Sequence, residues 1–223
     1  MRERPLHSWT LSPKEAIRLQ ETLSERIVLS WDGRAVSTVA GVDVSVKAGV
    51  SRAAIVLLSF PDLEFLESTF AKAPTPFPYV PGLLTFREGP VVLDAWSKLT
   101  RAPDLVLFDG QGIAHPRRMG LAAHLGLWLE VPTIGCAKSR LYGVHAAVGP
   151  GKGDRTPLLD PRDETSAIGS VLRTRDGVKP IFVSPGHLID VETSSEFALR
   201  CCTRYRLPEP TRQAHNHAGA FRP

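Results

Sequence analysis

Between Pro13 and Ile27 the apolar residues Ala16, Leu19, Leu23 and Ile27 recur at steps of three and four, which keeps them on one helical face. Ser12-Pro13-Lys14-Glu15 ahead of them is a capping box with proline at the first helical position. The period then changes. Thr38–Val46, Ala53–Phe60 and Leu63–Ala71 read as strands, and the short breaks Lys47-Ala48-Gly49 and Pro61-Asp62 join them as an antiparallel meander. The stretch Pro74–Gly82 carries four prolines and reads as a stiff loop. A helix is expected from Gly89-Pro90 to Leu99. The run Leu105-Val106-Leu107-Phe108 is apolar on both faces, as in the middle of a sheet covered by helices. A helix at Met119–Leu129 and a short strand at Thr133–Ala137 follow. Residues 149–164, rich in glycine, proline and charge, read as an exposed loop. Ala167–Arg175 and Pro180–Ser184 read as a hairpin, and a helix at Val191–Tyr205 closes the core. The order predicts a single α/β domain over residues 1–223, built on a mixed sheet.

Composition narrows the class. Hydrophobic residues at 43% and charged residues at 22% exclude a disordered or collagen-like chain. The longest apolar run, Ala53–Leu58, is far below the roughly 18 residues of a membrane span, so no membrane segment is expected. Met1-Arg2-Glu3-Arg4-Pro5 has no apolar stretch behind it, so no secretory signal is expected. Cys136, Cys201 and Cys202 form neither a paired framework nor a Cys-x-x-Cys site, which suits a reducing cytoplasm. The net charge is +4, and residues 200–223 hold five arginines (Arg200, Arg204, Arg206, Arg212, Arg222) against Glu209 alone. The rest of the chain is balanced. That tail permits contact with a polyanion, and a solvated tail explains it as well.

The candidate chemistry lies at strand ends. Alternation puts Asp43 on the face of Gly41 and Ser45, opposite Val42, Val44 and Val46. A carboxylate inside a strand is unusual, and by itself a solvent-facing edge position accounts for it. Asp109 stands at the carboxyl end of the central apolar strand, before Gly110-Gln111-Gly112, where open α/β sheets bind ligands; a turn-forming aspartate is the plain alternative. If the two strands are neighbours, the two carboxylates repel unless a divalent cation lies between them. Oxygen ligands without clustered Cys or His select Mg²⁺ or Mn²⁺ over zinc. Glu88 offers a third oxygen, or is an exposed helix-start acid. Tyr79, held among prolines, is a preformed aromatic that unstacks bases, binds a partner module or packs on its own domain. His115-Pro116-Arg117-Arg118 places cations at a helix start, where a phosphate would sit. Lys138 ends the strand beside Asp109, as a solvated strand end or as the cation of a phosphoryl-transfer site. His215 and His217 are within reach or simply on the surface. Gly149–Asp154 lacks the spacing of a phosphate-binding loop, and Ser184-Pro185-Gly186-His187 is no nucleophile elbow.

Taken in order, these segments resemble the endonuclease V family, which nicks nucleic acid beside deaminated adenine. The resemblance rests on Ala40-Gly41-Val42-Asp43, on the run from Pro78-Tyr79-Val80-Pro81-Gly82 to Arg87-Glu88, and on Asp109-Gly110-Gln111-Gly112-Ile113-Ala114-His115-Pro116-Arg117. It continues through Pro132–Leu141, Val183–His187 and Leu207–Arg212. It implies a ribonuclease H-like fold, a mixed sheet flanked by helices. It implies Mg²⁺-dependent hydrolysis, with Mn²⁺ as substitute, of the second phosphodiester bond 3′ to deoxyinosine, leaving 3′-hydroxyl and 5′-phosphate ends. Asp43 and Asp109 would hold the metal with Glu88 in support. Lys138 would stabilise the developing negative charge, and His215 would orient the attacking water or a second metal. Tyr79 would be the DNA wedge, and His115 and Arg117 would contact phosphate. Gly82, Leu84, Gly110, Gly112, Leu121 and Leu141 would line the pocket for the flipped base.

The expected partner is inosine-containing DNA, acted on by a monomer. The same chemistry on inosine in RNA is a close rival, separated only by contact with a 2′-hydroxyl. A non-catalytic binder of damaged nucleic acid predicts missing acids, and a phosphatase on small esters has no use for Tyr79.

Overall fold

The computed structural model describes residues 5–220, so the Met1–Arg4 start and Arg222 lie outside the described residues. Its eight strands form one mixed sheet: β1 (Thr38–Lys47), β2 (Val50–Ser59), β3 (Phe65–Pro74), β4 (Leu105–Phe108), β5 (Thr133–Ala137), β6 (Arg155–Asp160), β7 (Asp163–Leu172) and β8 (Ile181–His187). Their spatial order is β3-β2-β1-β4-β5-β8-β7-β6. The antiparallel meander β1–β3 stands as the sequence predicts. β4, wholly buried, runs parallel to β1 on one side and to β5 on the other. Asp43 is therefore on an interior strand, and the solvent-facing edge reading fails.

Among the described residues five helices cover the sheet: α1 (Pro13–Ser24), α2 (Leu84–Trp96), α3 (Leu121–Leu129), α4 (Val191–Arg200) and α5 (Glu209–Ala220). Strand parity sorts them into layers. Val42, Val106 and Phe108 meet Val92 of α2 with Leu121 and Leu125 of α3. Val39, Leu105 and Leu107 meet Phe197 of α4 and Ala214 of α5 on the opposite face. The Ser12–Glu15 capping box forms reciprocally at the start of α1. Among the described residues no helix is long and apolar enough to cross a membrane.

Four sequence expectations need correction. Residues 149–164 are not all loop: β6 and the start of β7 fall there. β6 is the edge strand, with Pro157 and a half-exposed pattern that read as loop. α2 begins at Leu84 rather than Gly89, and Pro90 lies inside it. α4 stops at Arg200, short of Tyr205, with Asp190 as its N-cap. Over its described residues the arginine-bearing tail is not a solvated tail, because α5 docks on β1 and β2.

Candidate active site

The parallel register sets the first distance. Val42 is level with Phe108, and the Asp109 amide donates to the Val42 carbonyl at 3.0 Å, so Asp43 and Asp109 follow side by side at the carboxyl end of the sheet. Parity aims both at the α4–α5 face. Gly41, two residues before Asp43, lies directly beneath α5: a β-carbon there would sit 2.0 Å from the Pro210 carbonyl group. Only glycine lets the first turn of α5 seat on β1, and that seating carries His215 to Asp43. The His215 Nδ1 lies 2.9 Å from Asp43 Oδ2. Lys138, one residue past β5, makes an ion pair with Asp109 through Nζ and Oδ2. Its own carbonyl accepts from Arg206 Nη2 at 2.8 Å.

Donor atoms of Asp43, Asp109 and His215 all lie within 4.8 Å of one another. Glu88 approaches from the α2 side and is buried. Burial, together with the charges of Asp43 and Asp109, pushes its carboxyl up to about 8. Burial and then Asp109 also raise Asp43, against the pull of His215 and Lys138. Three buried or half-buried carboxylates with one imidazole hold more negative charge than Lys138 neutralises. Oxygen and nitrogen donors this close fit a hard divalent cation.

Beside this cluster, on the α2–α3 face, a cavity of about 140 Å³ is lined by Tyr79, Gly82, Leu84, Thr85, Gln111, His115, Leu121 and Leu141 among others. Tyr79 stands at its mouth, 71% exposed, with the Arg87 guanidinium 5.9 Å from the ring centre. Gly82 adopts a φ of 79°, open to glycine at little cost. Its carbonyl accepts from Gln20 Nε2 at 3.0 Å, His115 Nε2 at 2.9 Å and Arg117 Nη2 at 3.0 Å, which fixes the wall carrying Leu84.

Four of the six residues expected to form a base pocket line this cavity; Gly110 and Gly112 do not. A β-carbon on Gly110 would lie 3.4 Å from the Leu121 side chain, in ordinary contact. A β-carbon on Gly112 would lie 2.0 Å from the Pro185 carbonyl oxygen, so its glycine serves packing against β8. The basic quartet also differs from expectation. α3 starts only at Leu121, after the quartet. Arg118 is engaged by Asp160 at 2.7 Å. His115 is buried, accepts from the Arg117 amide at Nδ1, and is pushed down to about 4 by burial and by Arg117. It is a neutral wall residue rather than a cation for phosphate. Arg117 is half-buried, with Nε on Gln20 Oε1 at 2.7 Å.

Two residues escaped the sequence reading. Gln20 is fully buried on α1 between Ala16 and Leu23; a glutamine on an apolar stripe is the signal. Gln111 lines the cavity, with Nε2 on the Ser139 carbonyl at 3.0 Å and Oε1 buried without a partner. Its only signal is its place between the two glycines of the turn.

Known proteins resemble this chain in sequence and in fold. The Endonuclease V family model matches residues 21–216. An endonuclease V from a Nostoc species is 51% identical over 211 residues, covering 93% of this chain and 94% of its own. The crystal structure of the Streptomyces avermitilis endonuclease V superposes with a TM-score of 0.89 at 40% identity, covering 95% of this chain and 93% of that one. The Ciona intestinalis enzyme, solved with a 24mer DNA containing an inosine followed by a ribo-adenosine, gives 0.80 at 27% identity, covering 92% and 95%. With its ribonuclease H-like sheet and this extent of identity, the chain belongs to the endonuclease V family.

Proposed function

We propose that this enzyme hydrolyses the second phosphodiester bond 3′ to a deoxyinosine in DNA, with Mg²⁺ held by Asp43 and Asp109 and supported by Glu88. The observation that carries the reading is the close approach of the Asp43, Asp109 and His215 donor atoms, within 4.8 Å, next to a cavity headed by an exposed tyrosine. When bound, the cation screens the phosphate and polarises its P–O bonds.

The chain's own groups supply the rest. His215 donates its Nδ1 hydrogen to Asp43, which leaves Nε2 with a lone pair for the proton of the attacking water. Asp43 orients that ring and keeps it in this tautomer. Lys138 bears its positive charge where negative charge grows on the phosphorane and on the departing 3′ oxygen. Water attacks phosphorus as His215 Nε2 takes its proton, the bond to the 3′ oxygen breaks, and that oxygen, its charge met by Lys138, takes a proton from solvent, so the ends are a 3′-hydroxyl and a 5′-phosphate.

The flipped base enters the cavity, and Tyr79 fills the gap it leaves in the stack. Gly82, Leu84, Leu121 and Leu141 enclose the ring. Gln111 Oε1 is an acceptor suited to the N1–H of hypoxanthine, a position at which adenine has only a lone pair. The enzyme works as one domain and a monomer in the cytoplasm.

Inosine in RNA is the second reading, favoured by the ribo-adenosine that follows inosine in the Ciona complex. Product-end analysis on DNA and RNA duplexes with a single inosine, with and without Mg²⁺, tests both. Ends other than 3′-hydroxyl and 5′-phosphate, or equal cleavage without the cation, refute the reading; preferential RNA cleavage moves the substrate and keeps the chemistry.

A further inference from the structure

The substrate strand has to leave the active site on the side away from the lesion cavity, and the fold identifies that side. The cavity lies on the α2–α3 face, at the starts of both helices. Asp43 and Asp109 stand at the sheet's carboxyl edge and point to the α4–α5 face. A strand with its inosine in the cavity and its scissile phosphate at the acids runs over this edge. What lies beyond the acids is its 3′ portion.

Just there runs the connection between α4 and α5. Arg206 ties it down: its Nη2 donates to the carbonyls of Lys138 and Pro180, both at 2.8 Å. The Thr174 hydroxyl adds a bond to the Arg206 carbonyl at 2.6 Å. Tyr205, 39% exposed, holds Arg204 with its guanidinium carbon 5.0 Å from the ring centre and Arg212 at 4.4 Å. Arg212 is occupied by both oxygens of Glu209 and lies one helical turn before His215. Arg204 is different. It is exposed, and among the described residues it enters no ion pair. A guanidinium pre-oriented on an aromatic face, near Glu209 but in no ion pair with it, and on a pinned segment, is arranged for a phosphate.

We propose that the α4–α5 connection is the seat of the substrate backbone on the 3′ side of the cut, with Arg204 as the phosphate ligand and Tyr205 as the residue that positions it. This rests on the nuclease reading above and adds the path of the strand. Neither residue touches the reacting atoms, so both act on binding rather than on the chemical step.

The test compares inosine-containing DNA with a long 3′ flank against the same DNA ending one nucleotide past the cut. Arg204→Ala and Tyr205→Ala are expected to raise KM several-fold on the long flank, to leave kcat unchanged, and to leave the short-flank substrate unaffected. Arg204→Lys should recover most of the loss. The salt dependence of binding to the long-flank DNA should fall by about one counterion for Arg204→Ala. Equal loss on both flanks means a damaged fold and overturns the proposal, as does no loss on either. Wild-type enzyme that cuts neither substrate instead overturns the nuclease reading, and this one with it.

Discussion

Glu88 is the most informative perturbation, because the fold holds it against its ordinary chemistry. Its carboxyl rises from 4.5 to about 8 through burial and the nearby Asp43 and Asp109. A carboxyl with a raised value in the folded state binds its proton more tightly there than in the unfolded chain. Its contribution is complete below 4.5 and is lost as pH rises, until the group ionises in both states above about 8. For metal-free protein the loss amounts to about 3 kcal/mol by neutral pH and roughly 5 kcal/mol once the folded carboxyl is ionised. Glu88→Gln keeps the shape and removes the titration. Its stability relative to wild type should therefore climb between pH of about 5 and about 9 by several kcal/mol, measured by urea unfolding in a chelator. Mg²⁺ should return most of the lost stability to wild type and little to the variant, whose cleavage should be weakened. A wild-type-to-variant difference that is the same at both pH values refutes the electrostatic account of the site.

Asp43→Ala and Asp109→Ala should each abolish cleavage while leaving inosine-DNA binding measurable by fluorescence anisotropy; full activity in either contradicts the metal assignment. Tyr79→Ala should weaken binding to an inosine duplex by about tenfold or more, in line with the ~1–3 kcal/mol of a base–aromatic stack, and should matter less for single strands. Unchanged affinity and rate would favour a small phosphoester as substrate. Gly41→Ala should cost at least about 3 kcal/mol in thermal or chemical unfolding, because its β-carbon meets backbone that cannot step aside, and should depress activity by displacing His215. Normal stability with normal activity would show that α5 does not depend on that contact.

The amino-acid sequence alone carried the elements with a strong repeat: the capping box of α1, the β1–β3 meander, the doubly apolar β4 and the apolar α3. These are short-range patterns, and burial on one or two faces writes them directly into the chain. From them and the ordered motifs it also named Asp43, Asp109, Glu88, Lys138 and His215, without the distances that separate them.

Tertiary structure decided the rest. α5 buries only small residues, Pro210, Thr211, Ala214 and Ala218, among mostly polar neighbours, so nothing local marks it as a docked helix. It is held because Gly41 leaves room, a fact shared between residues far apart in the chain. β6 is an edge strand whose pairing with β7 outweighs its proline. The neutrality of His115 and the raised Glu88 follow from which charges and apolar walls converge at the carboxyl end of the sheet. Periodicity reports what one segment does against a core; it cannot report the electrostatic field that several segments make together.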